Sequence, residues 1–277
     1  MSLPAGARVL ERLGGGDINE AYRVALADGS AAFVKTRDGA EEGEFAAEAA
    51  GLRWLAEGGG LRVPAVLAVE ADHLMLEWVA AGRMDERGAE ELGRGLALTH
   101  ACGAAAFGDP GGCPTWGFDW LRVSNEPCGD WASFYGERRL APLARIGRDR
   151  GALSASASAA VEHVAARLAE LTGAPETPAR LHGDLWSGNV MADRDGRPWL
   201  IDPAVYGGHR EVDLAMLRLF GAPSERVFSA YHELAPLGDG WRERVELYQL
   251  LPLLVHALLF GGSYAAAVER VALHYAG

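Results

Sequence analysis

Lysine is nearly missing from this sequence: of 26 basic residues in 277 positions only Lys35 is a lysine, and the other 25 are arginines. Cysteine is almost as scarce, with Cys102, Cys113 and Cys128 as the whole complement and no C-x-x-C spacing among them. An odd, scattered set excludes a disulfide framework and a thiolate zinc site, and it predicts bystander thiols in a reducing cytoplasm. Long apolar runs are missing as well. The most apolar stretch, residues 247–260, is broken by Gln249, Pro252 and His256, and the opening MSLPAGARVLERL holds no signal-like run, so neither a membrane span nor export is expected. Positive charge is in deficit, 26 cations against 38 anions for a formal net charge of -12. That balance offers no basic face for nucleic acid or an anionic membrane. What remains, 49% hydrophobic and 23% charged, describes a globular chain long enough for one large domain or two ordinary lobes.

Strand-like segments come first. ARVLERL and EAYRVAL flank Gly14, Gly15 and Gly16, and SAAFVKT follows the Asp28-Gly29 turn with Lys35 near its end. Phe45, Ala49, Leu52 and Ala56 then recur at helical spacing, predicting a helix over 41–57 that stops in Gly58, Gly59 and Gly60. VPAVLAV and HLMLEWV complete a small mixed sheet with one helix, placing a first lobe over residues 1–80 and a second over 81–277. The second is predicted to be mainly helical, with helices near 85–101, 130–145, 154–172, 209–220, 224–234, 240–259 and 262–275. Within it, residues 179–203 form a polar island in which NVMA and PWLID are joined by the turn DRDG.

That island carries the chemistry. Four residues separate Asp184 from Asn189, and Asp202 follows at the end of an apolar strand. Phosphoryl transfer needs a carboxylate beside the attacking hydroxyl, and an amide with a second carboxylate to hold the Mg2+ that bridges the phosphates of ATP. Asp184 with Asn189 fits the Asp-x4-Asn arrangement, and Asp202 fits the metal-binding aspartate on the next hairpin. Each residue alone reads more simply as a loop cap, but their joint spacing reverses that balance.

Lys35 and Glu48 supply the other half. Glu48 lies three residues after Phe45 and four before Leu52, inside the apolar arc, where a carboxylate either needs a partner or must reach out to water. The only lysine, on the preceding strand, is the natural partner, and such a pair sets an ammonium on nucleotide phosphates where a planar guanidinium cannot replace it. Gly14, Gly15 and Gly16 can offer backbone N–H groups to phosphate, although most such runs are only turns. In MLEWV the Glu77 carbonyl and Val79 amide are candidates to meet an adenine edge, or else an ordinary strand end. No P-loop or dinucleotide-binding signature is present.

In this order the elements resemble the protein-kinase-like fold, α+β and bilobal, with a small antiparallel-sheet lobe carrying one helix and a mainly helical large lobe. HGDLWSGN and IDPAVYGGHREVDLAML look like the fructosamine (ketosamine) kinase family, and GGGDINEAYRV, FVK, FAAEAAGLRWL, GFDW and WASFYGERRLAP extend the likeness along nearly the whole chain. The resemblance implies ATP-dependent phosphorylation of the sugar C3 hydroxyl of a ketosamine, small or protein-bound. It makes Asp184 the base, Asn189 and Asp202 the Mg2+ ligands, Lys35 with Glu48 the phosphate-positioning pair, and Asp213 a buried anchor of the catalytic loop. His209, Arg210 and Glu211 would brace that loop, and Trp186 would line the sugar site or simply pack in the core. A kinase of an aminoglycoside or choline is the alternative, with a non-catalytic ATP-binding module behind it. One departure is visible: where the family usually shows a longer polar stretch after Phe118, this chain reads DWLRVSNEPCGD.

Overall fold

Side-chain alternation along three adjacent strands decides how the first part of the chain packs. The computed structural model describes residues 6–14, 19–110, 115–117, 119–221 and 224–277; Gly15, Gly16, Cys113 and Phe118 lie outside them. Strands β1 (Arg8–Leu13), β2 (Glu20–Ala25) and β3 (Ala31–Thr36) precede helix α1 (Glu44–Glu57), and β4 (Val66–Val69) and β5 (His73–Glu77) follow it. They form one sheet in the order β1-β2-β3-β5-β4, every neighbouring pair antiparallel. Ala32 and Val34 face one side, with Val24 and Met75. Phe33 faces the other, beneath Phe45, Ala49 and Leu52 of α1 and beside Leu74 and Leu76. A period of two puts Lys35 on the Phe33 side, towards α1. The helix starts at Glu44 rather than 41 because Gly43 has φ 84°, outside the helical region, and the Glu44 N–H closes a turn on the Glu41 carbonyl.

Helix α2 (Glu86–Ala101) is started by Asp85, whose carboxylate accepts the Gly88 N–H at 2.9 Å. The short strands β6 (Thr115–Trp116) and β7 (Val123–Ser124) pair with each other. A π-helical stretch, Ser133–Leu140, runs into α3 (Ala141–Asp149). The helix expected over 154–172 is broken at Arg167, where φ -102° and ψ 10° leave the helical basin, giving α4 (Ala155–Ala166) and α5 (Leu168–Leu171). Strands β8 (Ala179–Leu181), β9 (Val190–Ala192), β10 (Pro198–Leu200) and β11 (Tyr206–Gly208) form the island. Helices α6 (Glu211–Leu219), α7 (Glu225–Leu234), α8 (Val245–Phe260) and α9 (Ser263–Ala276) complete the chain. Helix α8 starts five residues later than expected, the preceding residues forming turns.

Aromatic rings fill the centre of the helical part. Trp131 stacks on Tyr135 at 4.8 Å between ring centroids and tilts against Tyr248. Pro252, inside α8, has no N–H to give the Tyr248 carbonyl four residues earlier, and the Tyr135 hydroxyl donates to that carbonyl at 3.1 Å. Among the described residues no helix is long and apolar enough to cross a membrane.

Two antiparallel pairs organise the island: β8 with β11, and β9 with β10. The chain leaves the first pair along residues 182–189 and returns to it along 201–205, so these two loops run side by side. The Ala204 N–H donates to the His182 carbonyl at 2.9 Å and the Ile201 N–H to the Asn189 carbonyl at 3.1 Å. The hairpin is tied to segments flanking the sheet by the Leu200 N–H on the Arg62 carbonyl, 2.9 Å, and the Gly82 N–H on the Ala192 carbonyl, 2.8 Å.

Candidate functional site

Lys35, Glu48 and Asp202 meet. The Lys35 ammonium donates to both oxygens of Glu48, at 3.0 and 2.9 Å, and to Asp202 Oδ1 at 2.9 Å. The Lys35 and Glu48 side chains are 12% and 13% exposed, whereas Asp202 is 45% exposed, so the cluster has a dry floor and a wet mouth. Burial alone would pull the ammonium down; Glu48 and Asp202 outweigh it and hold Lys35 above the ordinary lysine value. Removing one member would strand a buried charge, which is the costly way to break such a pair.

Asp202 is also the one non-glycine residue with a positive φ, 51°, among the described residues. A side chain kept in that region stores of order 1–3 kcal/mol, and such outliers cluster at functional positions.

Asp184 and Asn189 sit on the neighbouring loop. The Asn189 amide nitrogen donates to the Asp184 carbonyl at 2.9 Å and to Asp184 Oδ2 at 3.0 Å. Both hydrogen bonds leave from the nitrogen, so the Asn189 amide oxygen is directed away from Asp184 and remains an acceptor. Burial pushes the Asp184 carboxyl above its usual value, despite the opposing effects of His182 and Asn189.

The loop is held from below. Asp213, fully buried at the start of α6, accepts the His182 N–H at 2.8 Å and the Gly183 N–H at 2.9 Å. Burial would raise its carboxyl; the His100 hydrogen bond, the neighbouring imidazoles and the Gly183 amide outweigh it and keep Asp213 below the ordinary range. His100 is in turn bonded to the Tyr231 hydroxyl at 2.8 Å. The His182 ring donates through Nε2 to the Ile201 carbonyl at 2.9 Å, joining the two loops. Gly183 has φ 82°, and a Cβ there would come within 2.0 Å of the Ala204 carbonyl oxygen, so no other residue fits between the loops.

His100 and His182 are the supports that spacing does not reveal: nothing in ALTHAC marks the first, and the second reads simply as the residue before Gly183. Trp186 is not in the core but 38% exposed, edge-on to Phe220. Gly14 follows β1 and is exposed. Glu77 ends β5, its N–H donating to the Ala65 carbonyl at 2.8 Å and its carboxylate accepting the Ala65 N–H at 3.2 Å; Val79 just beyond is buried.

Two hard oxygen donors, the Asp202 carboxylate and the Asn189 amide oxygen, suit Mg2+, which keeps few protein ligands and takes its other oxygens from water and phosphate. Among the described residues no three acidic, histidine or cysteine side chains gather to cage a metal alone. Geometrically the arrangement can hold phosphates between an ammonium and a hard cation, with a carboxylate alongside to accept a proton.

Comparisons with known proteins agree on one neighbourhood. The family model described as fructosamine kinase matches residues 5–275. The crystal structure of a "putative fructosamine-3-kinase" from Thermobifida fusca is similar at TM-score 0.88 and 44% identity, covering 97% of this chain and 94% of that one. A "Probable ketoamine kinase" of Enterococcus faecium is 33% identical over 264 residues, 93% of this chain and 91% of that protein. A choline kinase from Streptococcus pneumoniae is similar at TM-score 0.61 and 18% identity over 96% of this chain and 94% of its own, a likeness of fold alone.

Proposed function

The chain belongs to the fructosamine kinase family, and from that premise we propose that it transfers the γ-phosphoryl group of ATP to the C3 hydroxyl of a ketosamine. Its fold is protein-kinase-like, and the family makes it a phosphotransferase with an alcohol group as acceptor. We read residues 1–80 as the nucleotide lobe and 81–277 as the lobe that takes the acceptor, a low-molecular-weight or protein-bound glycated amine.

The convergence of Lys35, Glu48 and Asp202 beside Asp184 and Asn189 carries this reading. Lys35, fixed by Glu48, neutralises phosphate charge; Gly14 with Gly15 and Gly16 would cover the phosphates, and Glu77 and Val79 would meet the adenine. The Asn189 amide oxygen and Asp202 would hold Mg2+, which when bound offsets the charge on the phosphate oxygens. Asp184 accepts the proton of the attacking hydroxyl, helped by a carboxyl whose basicity burial has raised. Asp213 keeps the His182–Asp184 segment in place, and Trp186 borders the sugar.

ATP consumption measured against fructosamines, ribulosamines, aminoglycosides and choline, with the product mapped by NMR, tests the proposal. Turnover with a ketosamine and phosphate on C3 is the expected result. Turnover confined to an aminoglycoside or choline would overturn it.

A further inference from the structure

Beside the catalytic loop runs a connected set of aromatic rings that the reaction itself does not use. Trp186, two residues after Asp184, lies flat over Gly188, where a Cβ would come within 2.2 Å of the indole Cη2; the loop is built to carry that ring on its surface. Its edge meets Phe220 at 6.0 Å between centroids. Phe220 then meets His256 at 4.9 Å, and His256 meets Tyr264 at 5.0 Å and Phe260 at 5.6 Å. The far end, Phe260, is 60% exposed and Trp186 at the near end 38%. The rings between them are half-buried, so the array is anchored in the fold and open to solvent at both ends, as an apolar binding surface requires.

His256 is held in one orientation, its Nδ1 donating to the Pro252 carbonyl at 2.8 Å. That leaves Nε2 with no hydrogen-bond partner among the described residues. The array therefore begins at Trp186, two residues from Asp184 in the catalytic loop, and continues ring to ring as far as Phe260.

Resting on the ketosamine reading above, we infer that Trp186, Phe220, His256, Tyr264 and Phe260 form the wall against which the amine-borne half of the acceptor lies, and that they select ketosamines whose amine carries an aromatic or bulky apolar group. A ketosamine has two halves joined at one nitrogen. Once the sugar hydroxyl is at Asp184, the other half must leave the site along a neighbouring surface, and this one begins two residues away. The protonated secondary amine suits ring faces, and an aromatic substituent adds edge and stacking contacts.

Initial-rate kinetics with two ketosamines of the same sugar, one built on methylamine and one on benzylamine, test the inference. The wild-type enzyme is expected to favour the benzyl compound by about tenfold or more in kcat/KM. Phe260→Ala and Tyr264→Ala should each shrink that preference by about three- to tenfold, through KM for the benzyl compound with kcat held, and Phe260→Tyr should restore it. Phe260 is exposed enough for its variant to fold, and circular dichroism checks Tyr264→Ala. Equal use of the two compounds, or a preference unchanged in both alanine variants, would overturn the inference while leaving ketosamine kinase activity standing. Turnover of some other alcohol and of neither ketosamine would overturn the proposed function and this inference together.

Discussion

Lys35 Nζ stands 2.9 Å from Asp202 Oδ1 although 167 residues separate them along the chain. The contact joins the third strand of the sheet to the loop after β10, bringing the ammonium proposed for the nucleotide phosphates and the carboxylate proposed for the metal to one place. A phosphate group entering beside Lys35 would replace Asp202 as its counter-ion, and a hard cation would replace the ammonium beside Asp202.

Lys35→Arg keeps the charge but not its shape. The guanidinium is planar and longer, and a pocket closed by Glu48 on the dry side has no room for a fork. We expect kcat/KM for ATP-dependent turnover to fall by about 10²-fold or more, measured by coupled ADP release on protein shown by circular dichroism to be folded. Near-wild-type turnover would show that any cation suffices.

Asp184→Asn removes the proton acceptor and keeps the size. Turnover should drop by about 10²- to 10⁴-fold in kcat, with ATP affinity little changed. Calorimetric titration with Mg·ATP alongside steady-state kinetics separates the two quantities; an unaltered kcat would take Asp184 out of the chemistry.

Gly183→Ala tests the seam between the loops. At φ 82°, with the Ala204 oxygen 2.0 Å from the would-be Cβ, the loops must part. The expected cost is about 2 kcal/mol or more of stability, together with a lower kcat, since Asp184 is the next residue. A melting temperature equal to wild type would mean that the loops yield more easily than the geometry implies.

Acid should weaken the fold through His209. This ring is buried between Tyr248, stacked at 5.1 Å, and Trp131. Burial pulls its pKa down to about 4; Glu176, 3.7 Å from Nε2, opposes that shift, whereas Arg244, Arg210 and His100 add to it. The unfolded chain therefore binds this proton more readily than the folded one. The contribution is fully present above about pH 6.5 and is lost as pH falls towards 4, about 3 kcal/mol in all. Urea denaturation at pH 7, 5.5 and 4.5 measures the slope, and His209→Gln should flatten it.

Much of this was readable beforehand because it depends on local periodicity. The phase of Glu48 against Phe45 and Leu52 puts its carboxylate under the strand that carries Lys35, and alternation along β3 points the ammonium towards it. The positive φ of Asp202 was not readable, since Pro203 biases the residue before it towards extended backbone and an Asp-Pro pair carries no preference for the left-handed region. Nor was the wide π turn at 133–140, because an apolar pattern cannot distinguish one extra residue per turn from ordinary helical drift. Strands as short as β8 and β11 carry too few residues to show a period at all. The sequence left Trp186 either lining the sugar site or packing in the core, and its place on the surface, over Gly188 two residues further on, could not be read from it.

The clamp on Lys35 has a chemical corollary for the protein as a target. Reducing sugars condense with free, unprotonated amines, and the chain's only lysine is protonated, enclosed and held by two carboxylates. Everywhere else the cations are guanidinium groups, far weaker nucleophiles. The folded molecule thus shows glucose or ribose no free lysine side chain on which a Schiff base could start, which leaves the α-amino group as the amine open to such an adduct.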